Sequence, residues 1–270
     1  MPVITQPETG QKFHVGGRVR PPRRYAPKMR LSNYLLANLP LPPPKVTYAL
    51  NGWSAIKDGY LNNQVGDCVV AGAAHLIGVW TGNAKHGQPT LFSDDVIKRA
   101  YHGFSNGQYP DQDSGCDEEF AWNYWKANGF ADDPKHKLLC WLWVDAGNPI
   151  EVRQAIYLFE GVLSGVEMPT EWIQPGPAGN HFVFDVAGPP NPELGHCMSH
   201  FGYNEQGIGC ATWGLYGVVT WAAVGKYFTT SANGMLATAV SLDMLDRATQ
   251  RAPNGLNITQ LVSDAQSFQH

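Results

Sequence analysis

A thiol and an imidazole, each at the mouth of an apolar segment, are the residues best suited to chemistry. Cys68 stands between Asp67 and the run CVVAGAAHLIGVW (68–80), and His196 follows Gly195 and opens a stretch that reaches Gly202-Tyr203. Nucleophilic catalysis by cysteine requires a stabilised thiolate, a base near the sulfur and donors for the oxyanion. A cysteine in the first turn of a helix meets the first requirement, because the positive end of the dipole lowers the thiol pKa. Its backbone N–H then points toward the developing oxyanion, and Asn62 or Gln64 on the entering loop supplies a side-chain amide as the second donor. Asp67 reads as the helix N-cap. His196 reads as the base, with His200 on the same strand face as its rival. His75, inside the proposed helix, reads as a packing residue. So do Cys116, Cys140, Cys197 and Cys210, since unpaired cysteine is among the most buried residue types.

The elements that must position this pair change character along the chain. Apolar spacing predicts helices over 68–80, 93–101 (capped by Ser93), 117–126 (stopped at Asn128-Gly129) and 150–159. Strand signals follow at 137–143, 162–167, 181–186, 196–203, 207–213 and 216–221, with Asn204–Gly207 as a hairpin turn. Helices early and strands late predict an α+β architecture with two lobes. Residues 256–268 predict a short amphipathic C-terminal helix. The expected division is a basic, Pro-rich extended arm over 1–45, a body over 46–250, and a tail over 251–270.

Composition bounds the rest. Of 270 residues 43% are hydrophobic and only 16% charged, enough to bury a sizeable core and too apolar for disorder. No apolar run is long enough to span a bilayer, so no membrane partner is expected. The segment MPVITQPETGQKF has no apolar h-region, and nothing reads as an inhibitory pro-segment. Five cysteines, an odd number, then suggest reduced thiols in a cytoplasm or in a particle assembled there. No Walker-type loop, GxGxxG, HExxH, EF-hand or CxxC pattern occurs, so no metal or other cofactor is expected. Residues 1–45 carry eight basic side chains against Glu8 alone. Such an arm on an acidic body suits neighbouring subunits of an assembly or non-specific contact with nucleic acid.

Asn62-Asn-Gln-Val-Gly-Asp-Cys68 resembles the nucleophile segment of papain-like cysteine peptidases, Gly195-His196 with Gly202-Tyr203 resembles their base strand, and Ala211-Thr-Trp-Gly214 resembles their Asn-Ser-Trp-Gly. Trp221 with Lys226-Tyr-Phe228 resembles the closing strands. The ordered set, over roughly residues 60–230, is closest to a little-described bacterial and bacteriophage branch. The resemblance implies a two-lobed papain-like fold with a central helix starting at the nucleophile. It also implies a peptide or amide substrate, Asn62 at the oxyanion position, and Trp213 shielding the base. One departure stands out: Ala211 falls where the family's imidazole-orienting Asn stands, leaving Thr212, a backbone carbonyl or Asp185 as substitutes. The alternative function is a structural or minor virion protein on the same fold, anchored by residues 1–45.

Overall fold

The structure, a computed structural model, describes residues 1–19, 30–33, 41–84 and 87–244. The proposed tail helix at 256–268 and much of the arm lie outside the described residues. In chain order come β1 (Val3–Thr5), β2 (Lys12–His14), β3 (Arg18–Val19), β4 (Val46–Thr47), α1 (Trp53–Ile56), α2 (Cys68–Ala84), α3 (Asp94–Phe104), β5 (Cys116–Asp117) and α4 (Glu118–Asn128). There follow β6 (Leu138–Trp143), α5 (Pro149–Phe159), β7 (Val162–Glu167), β8 (Val183–Phe184), β9 (Gly195–His200), β10 (Gly202–Tyr203), β11 (Gly207–Thr212), β12 (Leu215–Thr220), α6 (Trp221–Tyr227) and β13 (Met235–Ser241). This is the expected α+β architecture, a helical N-terminal half against a curled sheet ordered β4-β10-β11-β9-β7-β13-β6. Among the described residues, no helix is long and apolar enough to cross a membrane.

Helix α2 is the axle. Every residue from Cys68 to Gly82 is buried, which is why its sequence is apolar all round and not amphipathic. Small residues let neighbours close in. A side chain at Gly72 would meet Leu163, one at Gly78 would meet Ala55, and one at Gly82 would meet the Asn51 backbone. Strands β7 and β9 are likewise buried on both faces and pair antiparallel with Val166 opposite His196. Strand β11 pairs β9 at Ala211–Ser199, which brings Thr212 alongside the start of β9.

Several expectations change. The predicted strand at 181–186 shrinks to Val183–Phe184, and 196–203 divides at Phe201. Trp221–Tyr227 is a helix, not a closing strand, because the Thr220 side chain caps it by accepting the Ala223 N–H. The sheet is extended instead by β13, the run MLATAVS that follows the turn pair Asn233-Gly234. Ser93 precedes α3 without a side-chain cap bond, leaving Asp94 and Asp95 to favour the helix start.

The largest change concerns residues 1–45, expected as an extended arm suited to neighbouring subunits or nucleic acid. Their described part is folded onto it. Strands β1 and β2 form a hairpin with Ile4 opposite Phe13, β3 pairs parallel with β5, and Phe13, Val15 and Leu31 are buried. Burying those three apolar side chains in the chain's own core contributes toward the ordering cost of the described segment.

Candidate active site

The loop entering α2 delivers Cys68 to the seam between the two halves. Its sulfur lies within hydrogen-bond reach of the Cys197 backbone N–H, directly after His196. Asn62 is buried and its Nδ2 donates to Asp67 Oδ1 at 3.2 Å, whereas Gln64 is exposed. Asp67 Oδ2 has no hydrogen-bond partner, and burial pushes this carboxyl well above its ordinary range. Its side chain thus serves the loop through Asn62, while its backbone carbonyl accepts from Ala71 N–H in the first turn.

His196 is fully buried. Its Nε2 sits 2.7 Å from Thr212 Oγ1, and Nδ1 has no hydrogen-bond partner. Of the residues considered for holding this ring, Thr212 is the one that meets it, while Asp185 is exposed and accepts from Thr220 Oγ1. The rival His200 has both ring nitrogens engaged, with Ser164 Oγ at 2.8 Å and Gly209 O at 2.9 Å. His75 is held by Asp58 O and Ser199 Oγ, as a packing residue would be. The turn joining β11 to β12 has φ +51° at Trp213 and +74° at Gly214, a two-residue hairpin turn with both residues left-handed. A tryptophan seldom adopts that backbone. Here it lays the indole on the His196 ring, centroids 4.3 Å apart and nearly parallel.

The N-terminal segment seals this site. Gly16 N–H donates to Gly195 O at 2.7 Å, and Cys116 N–H donates to Gly17 O at 2.8 Å. No side chain fits at Gly17, where a Cβ would overlap the Gly66 carbonyl, or at Gly195, where it would lie 2.6 Å from Arg18 O. Trp213 Nε1 donates to His14 O, Gln11 Nε2 donates to Trp213 O, and Phe13 packs on the indole at 4.6 Å. Behind this strap, Cys68 is 1% exposed. Burial, and next the neighbouring Asp67 charge, push the Cys68 thiol far up, while burial alone pushes His196 down to about 3. Both groups are neutral in the covered state, which corrects the expectation of a dipole-activated thiolate there. Desolvation outweighs the dipole.

Sequence reading missed groups that adjoin the Cys68 thiol. Arg18 entered only as arm charge and Glu118 only as part of the helix expected over 117–126, yet they form a buried ion pair at 2.7 Å beside the thiol. Cys197, taken for packing, adjoins the same pair. The adjacent Gly16-Gly17 in a basic arm was the one available signal of a close backbone passage.

Buried neutral histidines have a measurable consequence. Burial holds the His200 pKa at about 3, below its unfolded value near 6.5. The unfolded chain therefore binds a proton that the folded chain refuses, and stability is lost as pH falls below about 6.5. Relative to a His200→Gln variant, the native chain is expected to lose about 2 kcal/mol between pH 7 and pH 5, read from urea midpoints. Equal slopes would show that His200 titrates normally in the folded state.

Neither a protein-family model nor a curated sequence matches the chain. Solved structures do. Xylellain, a cysteine protease from Xylella fastidiosa, is similar with a TM-score of 0.58 and 12% identity, over 85% of this chain and 97% of that one. Digestive procathepsin L 3 of Tenebrio molitor larval midgut is similar with a TM-score of 0.55 and 14% identity, over 80% and 75%. ProCathepsin B S9 from Trypanosoma congolense is similar with a TM-score of 0.52 and 11% identity, over 80% and 83%. The chain has the papain-like cysteine protease fold.

Proposed function

We propose that the chain is a latent cysteine hydrolase of the peptidase type, with Cys68 as nucleophile, His196 as base and Thr212 as the residue that positions the ring. The observation that carries this reading is the free, buried Nδ1 of His196, whose Nε2 is held on Thr212 and whose next residue already contacts the Cys68 sulfur. With the strap displaced, water reaches both groups and the desolvation that keeps them neutral is relieved. His196 Nδ1 takes the thiol proton, and the sulfur attacks an amide or peptide carbonyl. The Cys68 N–H and the Asn62 amide bind the oxyanion. Collapse breaks the C–N bond as the imidazolium returns its proton to the leaving amine. A water, deprotonated by His196, then cleaves the thioester to release the acid and the thiol.

The test uses the full chain with Gly17→Val, a wedge against the Gly66 carbonyl that destabilises the covered state by about 1–3 kcal/mol. Iodoacetamide at mildly acidic pH is expected to modify Cys68 in this variant about tenfold faster or more than in the native chain, with buried Cys140 slow in both. A Cys68 no more reactive than Cys140 in the wedged chain refutes the reading. Thr212→Val is expected to lower kcat of the opened chain by about tenfold with KM little changed, because a ring free to rotate is less often aligned. Thr212→Ser restores it. Unaltered kcat in Thr212→Val would remove Thr212 from the mechanism.

A second reading keeps the fold without catalysis, as a structural protein of an assembly or virion. The sealed thiol favours it. Against it, the described strap residues spend their apolar side chains and their buried cation on the chain's own body.

A further inference from the structure

Resting on the hydrolase reading, we propose that the pocket filled by Arg18 is the chain's own specificity pocket, and that it selects an arginine side chain in the substrate. The strap backbone passes between Gly66, two residues before Cys68, and Gly195, one residue before His196. Any acyl group presented to the sulfur must lie along that passage. From it the Arg18 side chain descends into the interior. The Arg18 guanidinium donates from Nε to Glu118 Oε2 at 2.7 Å and from Nη2 to Asn233 O at 2.7 Å. Glu167 is charge-coupled to it and accepts from Asn233 Nδ2 at 3.5 Å.

The pocket is built for a cation, not merely tolerant of one. Glu118 is 1% exposed, and its carboxylate fits only because position 165 is glycine, where any Cβ would overlap both oxygens. When the strap leaves, Glu118 loses its counter-charge and becomes neutral only by taking up a proton, a state that an incoming cation reverses and a neutral side chain leaves unchanged. A lysine reaches as a point charge, but a planar fork serves the carboxylate and the Asn233 carbonyl together. One carboxylate and one carbonyl on the guanidinium, with Glu167 behind them on Asn233 Nδ2, thus define a peptide substrate with arginine beside the scissile region.

The experiment uses the full-length Gly17→Val chain and a pair of thiol-alkylating peptidyl probes that differ only in arginine against leucine at the pocket position. Arginine is expected to label Cys68 about tenfold faster or more, the worth of one charge-assisted hydrogen bond in a desolvated site. The preference is expected to vanish in the Gly17→Val, Glu118→Gln chain. The native chain, incubated longer, reads the same ratio through spontaneous opening if the wedged variant folds poorly. Independently, ethylguanidinium is expected to raise the melting temperature of Arg18→Ala and not that of Arg18→Ala, Glu118→Gln. Equal labelling by the two probes, or no guanidinium effect, overturns the pocket assignment while leaving the nucleophile intact. Failure of both probes and of iodoacetamide to reach Cys68 in either chain overturns the hydrolase reading and this one with it.

Discussion

Replacing Cys68 by alanine is expected to lower amide hydrolysis by the opened chain about 10⁴-fold or more, at almost unchanged melting temperature. The two halves of that expectation have separate causes. The sulfur supplies the bond-forming electron pair, and neither Cys116 nor Cys197 can replace it, because both lie in strands and neither stands at the head of α2. The side chain itself is small and replaceable in packing, so its loss leaves only a minor void at the head of α2. His196→Ala should fall nearly as far, and the double variant little further, since residues acting in one proton-transfer unit are not additive. Hydrolysis of a broad peptide panel by each variant, alongside its melting curve, checks this. Activity in Cys68→Ala within a few-fold of the parent would remove the nucleophile from the scheme.

Truncating Glu118 to alanine is expected to be the most disruptive single change in the strap's seat. It strands the Arg18 guanidinium, which cannot lose its proton, in the interior, at a cost of about 3–5 kcal/mol. The cheapest relief is withdrawal of Arg18 together with the strap. Modification of Cys68 is therefore expected to rise about 100-fold, with the melting temperature lowered by as much as roughly 10 °C where withdrawal is incomplete. Arg18→Ala should melt closer to the native chain, because the carboxyl left behind can take up a proton and become neutral. Iodoacetamide labelling and thermal unfolding of both variants check the asymmetry. A closed, fully stable Glu118→Ala chain would show that the hairpin and Phe13, not the ion pair, hold the cover down.

How much of this was legible beforehand follows from which forces act locally. Cys68 at a helix start and His196 at a strand start could be read because both follow from runs of adjacent residues. The four principal helices were visible from apolar spacing for the same reason. Thr212 against His196 depends on the Ala211–Ser199 register, a fact of pairing between distant segments that no window contains. The strap was misread because its composition, basic and Pro-rich, describes a solvated arm, whereas three apolar side chains and one buried cation decide where it lies. The same limit hid the neutral thiol. Dipole and sequence position argue for ionisation, and only the depth of burial, set by residues 50 positions away, reverses them.

Because the strap is covalently joined to the body it covers, it competes with every incoming peptide at an effective concentration in the millimolar range, whatever the protein's own dilution. Initial rates at micromolar substrate would then report how often the tether lets go, and discrimination among peptides would emerge only as their concentration approaches that ceiling. Diluting the protein would not relieve the block, since the strap and the site it covers are parts of one molecule.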